Sequence, residues 1–286
     1  MNIICKYASL VKFGHTVFAL PFALMAYVYA LRSTATPFDA WLLVKILACM
    51  VLARNAAMGF NRWADRHIDA ENPRTAAREI PSGRISPQAA LAFVAANAVG
   101  FMFVAALING LTFALSPLAL FIILSYTYVK RYSAWVHVVL GISLAIAPVG
   151  AYIAVTGYIT FVPLLLAGCV ITWVSGFDIL YSLQDAEFDR SHGLHSVPVR
   201  LTPRGAVWVS IVLHAATVYT LAVIGMSYPT GIAYKIGACI FTAVLIAEHV
   251  MFTPERAGHI GAWFGLMNGM ASTAYALLAI LDMLVR

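Results

Sequence analysis

Charge is scarce in this chain: only 10% of its 286 residues are Asp, Glu, Lys or Arg. Ordinary soluble domains carry about 25%, so a conventional water-facing surface is excluded. Cysteine is sparse as well. Cys5, Cys49, Cys169 and Cys239 stand singly, three of them in apolar runs and no two at metal-ligand spacing. That argues against a thiolate metal centre and leaves them as small buried hydrophobes. A small-residue cleavage site is missing after the first apolar run, so "MNIICKYASLVKFGHTVFALPFALMAYVYA" reads as a first spanning helix rather than a removable leader.

Apolar residues are what the chain has in excess. They make up 62% of it, against roughly 45–50% in soluble domains, and the mean hydropathy is +0.86. Runs of about 20 apolar residues recur, the length a helix needs to cross ~30 Å of hydrocarbon. The sequence therefore predicts an all-α polytopic membrane protein, one domain over residues 1–286. Nine spans are expected, at roughly 13–32, 39–60, 87–108, 111–129, 133–155, 160–183, 203–226, 231–252 and 258–284. Breakers at Asn109-Gly110, Gly157, Pro229 and Pro254 separate them. Ser86-Pro87, Thr202-Pro203 and Thr253-Pro254 each offer a hydroxyl N-cap followed by proline at the first helical position. The hydroxyl satisfies a free backbone N–H, and proline's missing N–H had no partner there.

Basic residues predict the orientation. With the N-terminus cytoplasmic, Lys6, Lys12, Arg54, Arg62, Arg66, Arg74, Arg78, Arg84, Lys130, Arg131, Arg190, Arg200, Arg204 and Arg256 lie on or near that side. Only Arg32, Lys45, Lys235 and Arg286 fall on the other, 4 of the 18 basic residues. This is a clear positive-inside bias. Both long connections, about 61–86 and 184–202, then fall on the cytoplasmic side, as would the mouth of any site.

The charge that does exist is concentrated. "NRWADRHIDAENPRTAAREIPSGR", from Asn61 to Arg84, holds nine charged side chains. If the second span continues through it as helix, residues four apart drift only ~40° around the axis and rise ~6 Å. Arg54, Asn61, Asp65 and Asp69 would then form one polar stripe, ended at Asn72 because Pro73 disfavours helix before it. In "FDILYSLQDAEFDR", Asp178, Tyr181, Asp185 and Asp189 repeat the arrangement on one face. Both stripes sit at helix C-terminal ends, where the helix dipole disfavours negative charge by ~0.3–1 kcal/mol each. Clustered carboxylates of this kind persist around a cation. Oxygen ligands without cysteine or paired histidine point to a hard ion, Mg²⁺ by preference, which completes its shell with phosphate oxygens. Arg62, Arg66, Arg74, Arg78, Lys130 and Arg131 supply countercharge for a diphosphate. The competing reading is solvated loop charge, which two such stripes 120 positions apart (Asp65 to Asp185) make much the poorer explanation.

With these residues in view, the chain resembles the UbiA superfamily of intramembrane prenyltransferases. The family's first motif, N-x-x-x-D-x-x-x-D, matches Asn61, Asp65 and Asp69. Its second, D-x-x-Y-x-x-Q-D-x-x-x-D, matches Asp178, Tyr181, Gln184, Asp185 and Asp189. Its Y-x-x-x-K matches Tyr126 and Lys130, and its arginine seven positions before the motif asparagine matches Arg54. "NPRTAAREIPSG" and "HTVFALPFALMAY" are similar to members acting on 4-hydroxybenzoate or related quinone precursors. Basic residues near the family's first helix reduce here to Lys12 and His15.

The resemblance implies a nine-helix bundle with a central cavity open to the cytoplasmic side, and Mg²⁺-dependent transfer of a polyprenyl group from its diphosphate to an aromatic ring. On it, Asn61, Asp65, Asp69, Asp185 and Asp189 would hold the metal. Asn61, Arg66, Lys130 and Arg131 would bind the diphosphate, and Tyr126 and Tyr181 would face the allylic cation, although helical aromatics also serve packing. Asp178 and Asp185 would act in catalysis with Lys130 and Tyr126, Asp178 activating or orienting the acceptor hydroxyl. Arg54, ~10 Å deeper than Asn61 by helix rise, would hold an acceptor carboxylate or else pair structurally with Asp178 or a helix carbonyl. The acceptor implied is 4-hydroxybenzoate, with a dihydroxynaphthoate of menaquinone synthesis as the alternative. The expected partners are these substrates and the lipid bilayer, without nucleic acid. A transporter would place charges at mid-membrane, and a phosphatidyltransferase would show a D-G-x-x-A-R lead-in that both stripes lack. His137 and His214 read as satisfied side chains, and Glu248-His249 as interfacial.

Overall fold

The computed structural model describes residues 3–11, 18–252 and 262–286. Lys12, His15, Thr253, Pro254 and Arg256 lie outside the described residues. Among those described, every regular element is helical. In chain order they are α1 (Ile3–Leu10), α2 (Leu20–Thr34), α3 (Ala40–Ala64), α4 (Arg66–Glu71), α5 (Pro87–Ala106), α6 (Gly110–Val129), α7 (Val136–Thr156), α8 (Phe161–Ser182), α9 (Ala186–Ser191), α10 (Val197–Arg200), α11 (Pro203–Ser227), α12 (Ile232–Met251) and α13 (Ala262–Val285).

Helix boundaries follow local chemistry. The Ser86 hydroxyl accepts from Ala89 N at 3.2 Å and that of Thr202 from Gly205 N at 3.1 Å, each ahead of a proline at the first helical position. Asp39 caps α3 through Trp41 N and Leu42 N, and Asn109 Oδ1 accepts from Thr112 N at the start of α6. Gly157 ends α7 at φ +72°, a left-handed conformation that a Cβ disfavours.

Among the described residues, eight helices are long and apolar enough to span a membrane. The first predicted span, 13–32, corresponds to α2, with 15 residues described. Large apolar side chains face outward as well as filling the interior. Trp41, Val99, Phe121, Met226 and Val250 are exposed, Trp41 by 77%. Such surface is stable only against lipid, and the chain is a multi-pass integral membrane protein.

The chain divides into two compact units. The first comprises residues 1–16 and 39–128. In it α3 packs on α5, and Leu10, Ile80, Ile85 and Ala90 form a small core that ties α1 to the 72–86 loop. The second comprises residues 17–38 and 129–286. Here α8 is central, flanked by α7 and α11, while α12 packs on α13 and α13 on α2. The α7–α8 approach is close: a Cβ at Gly141 would lie 2.7 Å from the Ile171 carbonyl oxygen and 2.8 Å from Ser175 Oγ. Any larger residue would force these helices apart.

Candidate active site

In the first unit α3 stops at Ala64, and Asp65 leaves helical geometry at φ −93°, ψ 7° before α4 resumes. The stretch is therefore two helices rather than the one continuous helix expected from sequence. The i→i−4 ladder nevertheless survives the break, with Asp65 N donating to Asn61 O at 3.0 Å and Asp69 N to Asp65 O at 2.8 Å. Asn61, Asp65 and Asp69 thus keep a common register. Asn72, extended before Pro73, ends α4 as expected.

The stripe is buried: Asp65 is 2% and Asp69 4% exposed. Asn61 Nδ2 donates to Asp65 Oδ2 at 3.3 Å. Arg78 Nη1 donates to Asp69 Oδ1 at 2.6 Å, while Asp69 Oδ2 is buried with no hydrogen-bond donor among the described residues. Buried carboxylate oxygens are rarely left in this state. An unsatisfied anionic oxygen among other oxygen donors suits a hard cation, so the residues present fit Mg²⁺. Within neither unit, among the described residues, do three His, Cys, Asp or Glu side chains converge as a ready metal cage. Such a site leaves most of the coordination shell to phosphate oxygens and water, as Mg²⁺ prefers.

Beside this acid lies a cavity of about 370 Å³ lined by Ser9, Arg62, Arg74, Ala77, Arg78 and Glu79. Three guanidinium groups against one carboxylate make it an anion-attracting recess. Arg62 is only 4% exposed, and its Nε finds no acceptor among the described residues. The same holds for Arg54 Nε, deeper in α3. Tyr126 lies within electrostatic reach of both arginines. Arg66, by contrast, folds back on Trp63, donating to its carbonyl at 2.8 Å with the guanidinium 5.1 Å from the ring centroid. Arg62, which the sequence ranked only among the loop countercharges, is the buried motif arginine.

In the second unit α8 ends at Ser182 and a 3₁₀ turn, Leu183–Asp185, precedes α9. This corrects the expectation of one continuous face. A 3₁₀ residue turns ~120° rather than ~100°, so three of them rotate Asp189 by roughly 60° relative to Asp178. Gln184 Nε2 donates to Tyr181 O at 2.9 Å within the turn, and Tyr181 stacks on Phe264 with centroids 6.4 Å apart. Asp189 lies within electrostatic reach of Asp185, Lys130 and His137. The return loop closes over this group: Leu194 N donates to Asp189 O at 2.8 Å and His195 N to Lys130 O at 2.6 Å. Arg131, next to Lys130, is half-buried. Asp178 Oδ2 contacts His137 Nδ1 at 2.7 Å.

Glu248 is not interfacial as its sequence position suggested. It is fully buried and accepts from Asn268 Nδ2; Asn268 Oδ1 in turn accepts from Trp173 Nε1 at 2.8 Å. Three helices, α8, α12 and α13, meet here, and only that packing takes Glu248 out of contact with solvent and headgroups. His214 contacts His249 at 3.0 Å and the Trp173 carbonyl at 3.3 Å, a satisfied side chain as expected.

Comparison with known proteins bears on this arrangement. The sequence model of the UbiA prenyltransferase family matches residues 19–272. A 4-hydroxybenzoate octaprenyltransferase of Xanthomonas euvesicatoria pv. vesicatoria is 32% identical over 217 residues, covering 76% of this chain and 71% of that protein. The apo structure of a UbiA homologue from Aeropyrum pernix K1 superposes with a TM-score of 0.79 at 35% identity, covering 95% of this chain and 98% of that one. A UbiA homologue from Archaeoglobus fulgidus, solved with DMAPP and Mg²⁺, superposes with a TM-score of 0.73 at 20% identity over 96% of this chain and 99% of that one.

Proposed function

The chain belongs to the UbiA prenyltransferase family and is a membrane prenyltransferase; within that class we propose that it is a single-domain enzyme using Mg²⁺ to transfer a polyprenyl group from its diphosphate to a carboxylated aromatic acceptor, 4-hydroxybenzoate first. The observation that carries this reading is the buried Asp69 Oδ2, without a hydrogen-bond partner among the described residues, beside a recess lined by Arg62, Arg74 and Arg78. An acid with an unsatisfied oxygen next to three guanidinium groups suits a metal-bound diphosphate. Support comes from the Xanthomonas relative, named for 4-hydroxybenzoate, and from the Archaeoglobus homologue solved with DMAPP and Mg²⁺. A dihydroxynaphthoate carries the same carboxylate and phenol and is the second acceptor.

In this reading Asn61, Asp65, Asp69, Asp185 and Asp189 hold the metal, which when bound supplies positive charge against the diphosphate oxygens. Lys130, Arg131 and the first-loop arginines Arg62, Arg66 and Arg78 neutralise the charge that develops as the C–O bond breaks and its electron pair leaves with the diphosphate. Tyr126 and Tyr181 present aromatic faces to the allylic cation and help exclude water from it. Arg54 binds the acceptor carboxylate through its guanidinium. Asp178 accepts a hydrogen bond from the acceptor hydroxyl and raises the electron density of the ring, whose carbon then forms the new C–C bond. The ring proton passes to a carboxylate, that of Asp178 or Asp185, and aromaticity is restored. In this reading the N-terminus and the mouth of the site lie on the cytoplasmic face of the inner membrane, an orientation that the positive-inside bias supports. A lipid-soluble donor reaches such a site from the bilayer.

The test uses purified protein, Mg²⁺, a polyprenyl diphosphate and a panel of aromatic acids, scored for prenylated product and diphosphate release. Prenylated 4-hydroxybenzoate is the expected product. Turnover only with non-carboxylated acceptors refutes the acceptor assignment, and absence of diphosphate release with every acceptor refutes the diphosphate donor.

A further inference from the structure

His137 occupies a setting that fixes its chemistry. It is 2% exposed, and both ring nitrogens are engaged. Nδ1 lies 2.7 Å from Asp178 Oδ2, and Nε2 receives the Val197 backbone N–H at 3.3 Å. A backbone N–H can only donate. Nε2 must therefore carry its lone pair, and the single proton of the neutral ring sits on Nδ1, from which it donates to Asp178.

The surroundings hold this geometry stiffly. His137 lies one helical turn before Gly141, where α7 and α8 come closest. Ser175 Oγ, one turn before Asp178 on α8, shares its one proton between the Ile171 carbonyl at 2.6 Å and the His137 carbonyl at 3.1 Å. Val197 opens α10 at the end of the return loop that Leu194 and His195 tie to Asp189 and Lys130. The loop that follows the second acidic motif thus supplies the N–H that selects the histidine tautomer. Asp178 keeps a partly exposed side chain, 23%, and its Oδ1 is not engaged by His137.

We propose that His137 is a positioning residue: held as its neutral Nδ1–H tautomer by the Val197 amide, it fixes the orientation of the Asp178 carboxylate and leaves Oδ1 for the acceptor hydroxyl. This rests on the reading of Asp178 given above. A neutral donor suits the role, because it orients the carboxylate without cancelling the charge that makes it a good acceptor. Lysine or arginine at this position would neutralise it.

Two measurements test the proposal. Nitrogen-15 NMR of the full-length protein with labelled histidine in detergent micelles should show one neutral imidazole with protonated Nδ1, perturbed by Asp178→Asn. A His137 signal, identified by its absence from His137→Phe, that shows protonation at Nε2 overturns the proposal, whatever the activity. The kinetic measurement compares three variants at saturating donor. His137→Asn keeps an amide donor near Nδ1 but loses the acceptor for Val197. His137→Gln keeps an acceptor near Nε2 but loses the donor to Asp178, and His137→Phe loses both. Expected are acceptor kcat/KM values within about 3-fold of wild type for Asn and lowered about 10- to 100-fold for Gln and Phe, with donor KM unchanged in all three. The reverse ranking, Gln spared and Asn as poor as Phe, overturns the proposal and assigns His137 to tethering the loop. If Asp178→Asn leaves acceptor kinetics unchanged, the reading of Asp178 fails and takes the use of the pairing with it. The NMR result then separately decides whether the pairing exists.

Discussion

Arg78 and Asp69, nine positions apart, meet at 2.6 Å and so pin the 72–86 loop onto the first acidic motif. The pair engages one carboxylate oxygen and leaves Oδ2 buried without a donor among the described residues. This asymmetry separates two variants. Asp69→Asn removes the anionic oxygen and should lower kcat/KM for the prenyl diphosphate by on the order of 100-fold or more, with little change in stability. Arg78→Ala should act on both. It leaves a buried carboxylate unpaired, a loss of ~3–5 kcal/mol for a fully buried pair and roughly half that here, because Arg78 is 21% exposed. Added Mg²⁺ should raise the thermal midpoint of Arg78→Ala and leave that of Asp69→Asn unchanged. A rise in both would show that the ion does not bind at Asp69.

Arg54 is set apart from the diphosphate residues by its depth in α3 and by a buried Nε without an acceptor among the described residues. A carboxylate on the acceptor would satisfy it through a charge-assisted pair worth ~1.5–3 kcal/mol. Arg54→Ala should therefore raise the acceptor KM roughly 10- to 100-fold while leaving the donor KM within about 2-fold. Equal effects on both substrates would remove the carboxylate argument. Arg54→Lys should recover little, because an ammonium lacks the planar two-point fork.

Metal removal gives a third outcome. Neither unit brings three ligating side chains together among the described residues, so the metal should bind weakly to the free protein and firmly only with diphosphate present. Titration calorimetry should find Mg²⁺ affinity rising at least 10-fold on adding a non-hydrolysable prenyl diphosphate analogue. Chelator should abolish diphosphate release, and Mg²⁺ should restore it. Tight Mg²⁺ binding without the analogue would contradict the shared shell.

How far the sequence could be read depended on the range of the interaction. Spans predicted at 87–108 and 203–226 are found at Pro87–Ala106 and Pro203–Ser227, because a hydroxyl followed by proline marks a helix start within four residues. The register of Asn61, Asp65 and Asp69 was legible for the same reason, since it rests on i→i−4 bonds. The 3₁₀ turn at Leu183–Asp185 was not: no proline or glycine marks it, and the return loop that follows it is anchored to Lys130, 65 positions before His195. His137 and Asp178 are 41 positions apart and carry no joint signal in spacing. Glu248 was misread because its burial depends on Asn268 and Trp173, which belong to other helices.

That buried chain yields the last prediction. Asn268 joins Trp173 Nε1 to Glu248, and all three are essentially inaccessible. Asn268→Leu strands an indole N–H and a carboxyl together. Each unsatisfied buried group costs ~1–3 kcal/mol, so the variant should lose on the order of 3 kcal/mol, read as a lower thermal midpoint in detergent. Replacing Glu248 as well should not add to the damage. Once its partner is apolar, Glu248→Leu removes one of the two stranded groups, and the double variant should unfold at a higher temperature than Asn268→Leu alone. Strictly additive losses would refute the coupling. Acceptor kinetics should change less than stability, because the chain lies in the packed interior of the second unit and not among the residues assigned to substrate.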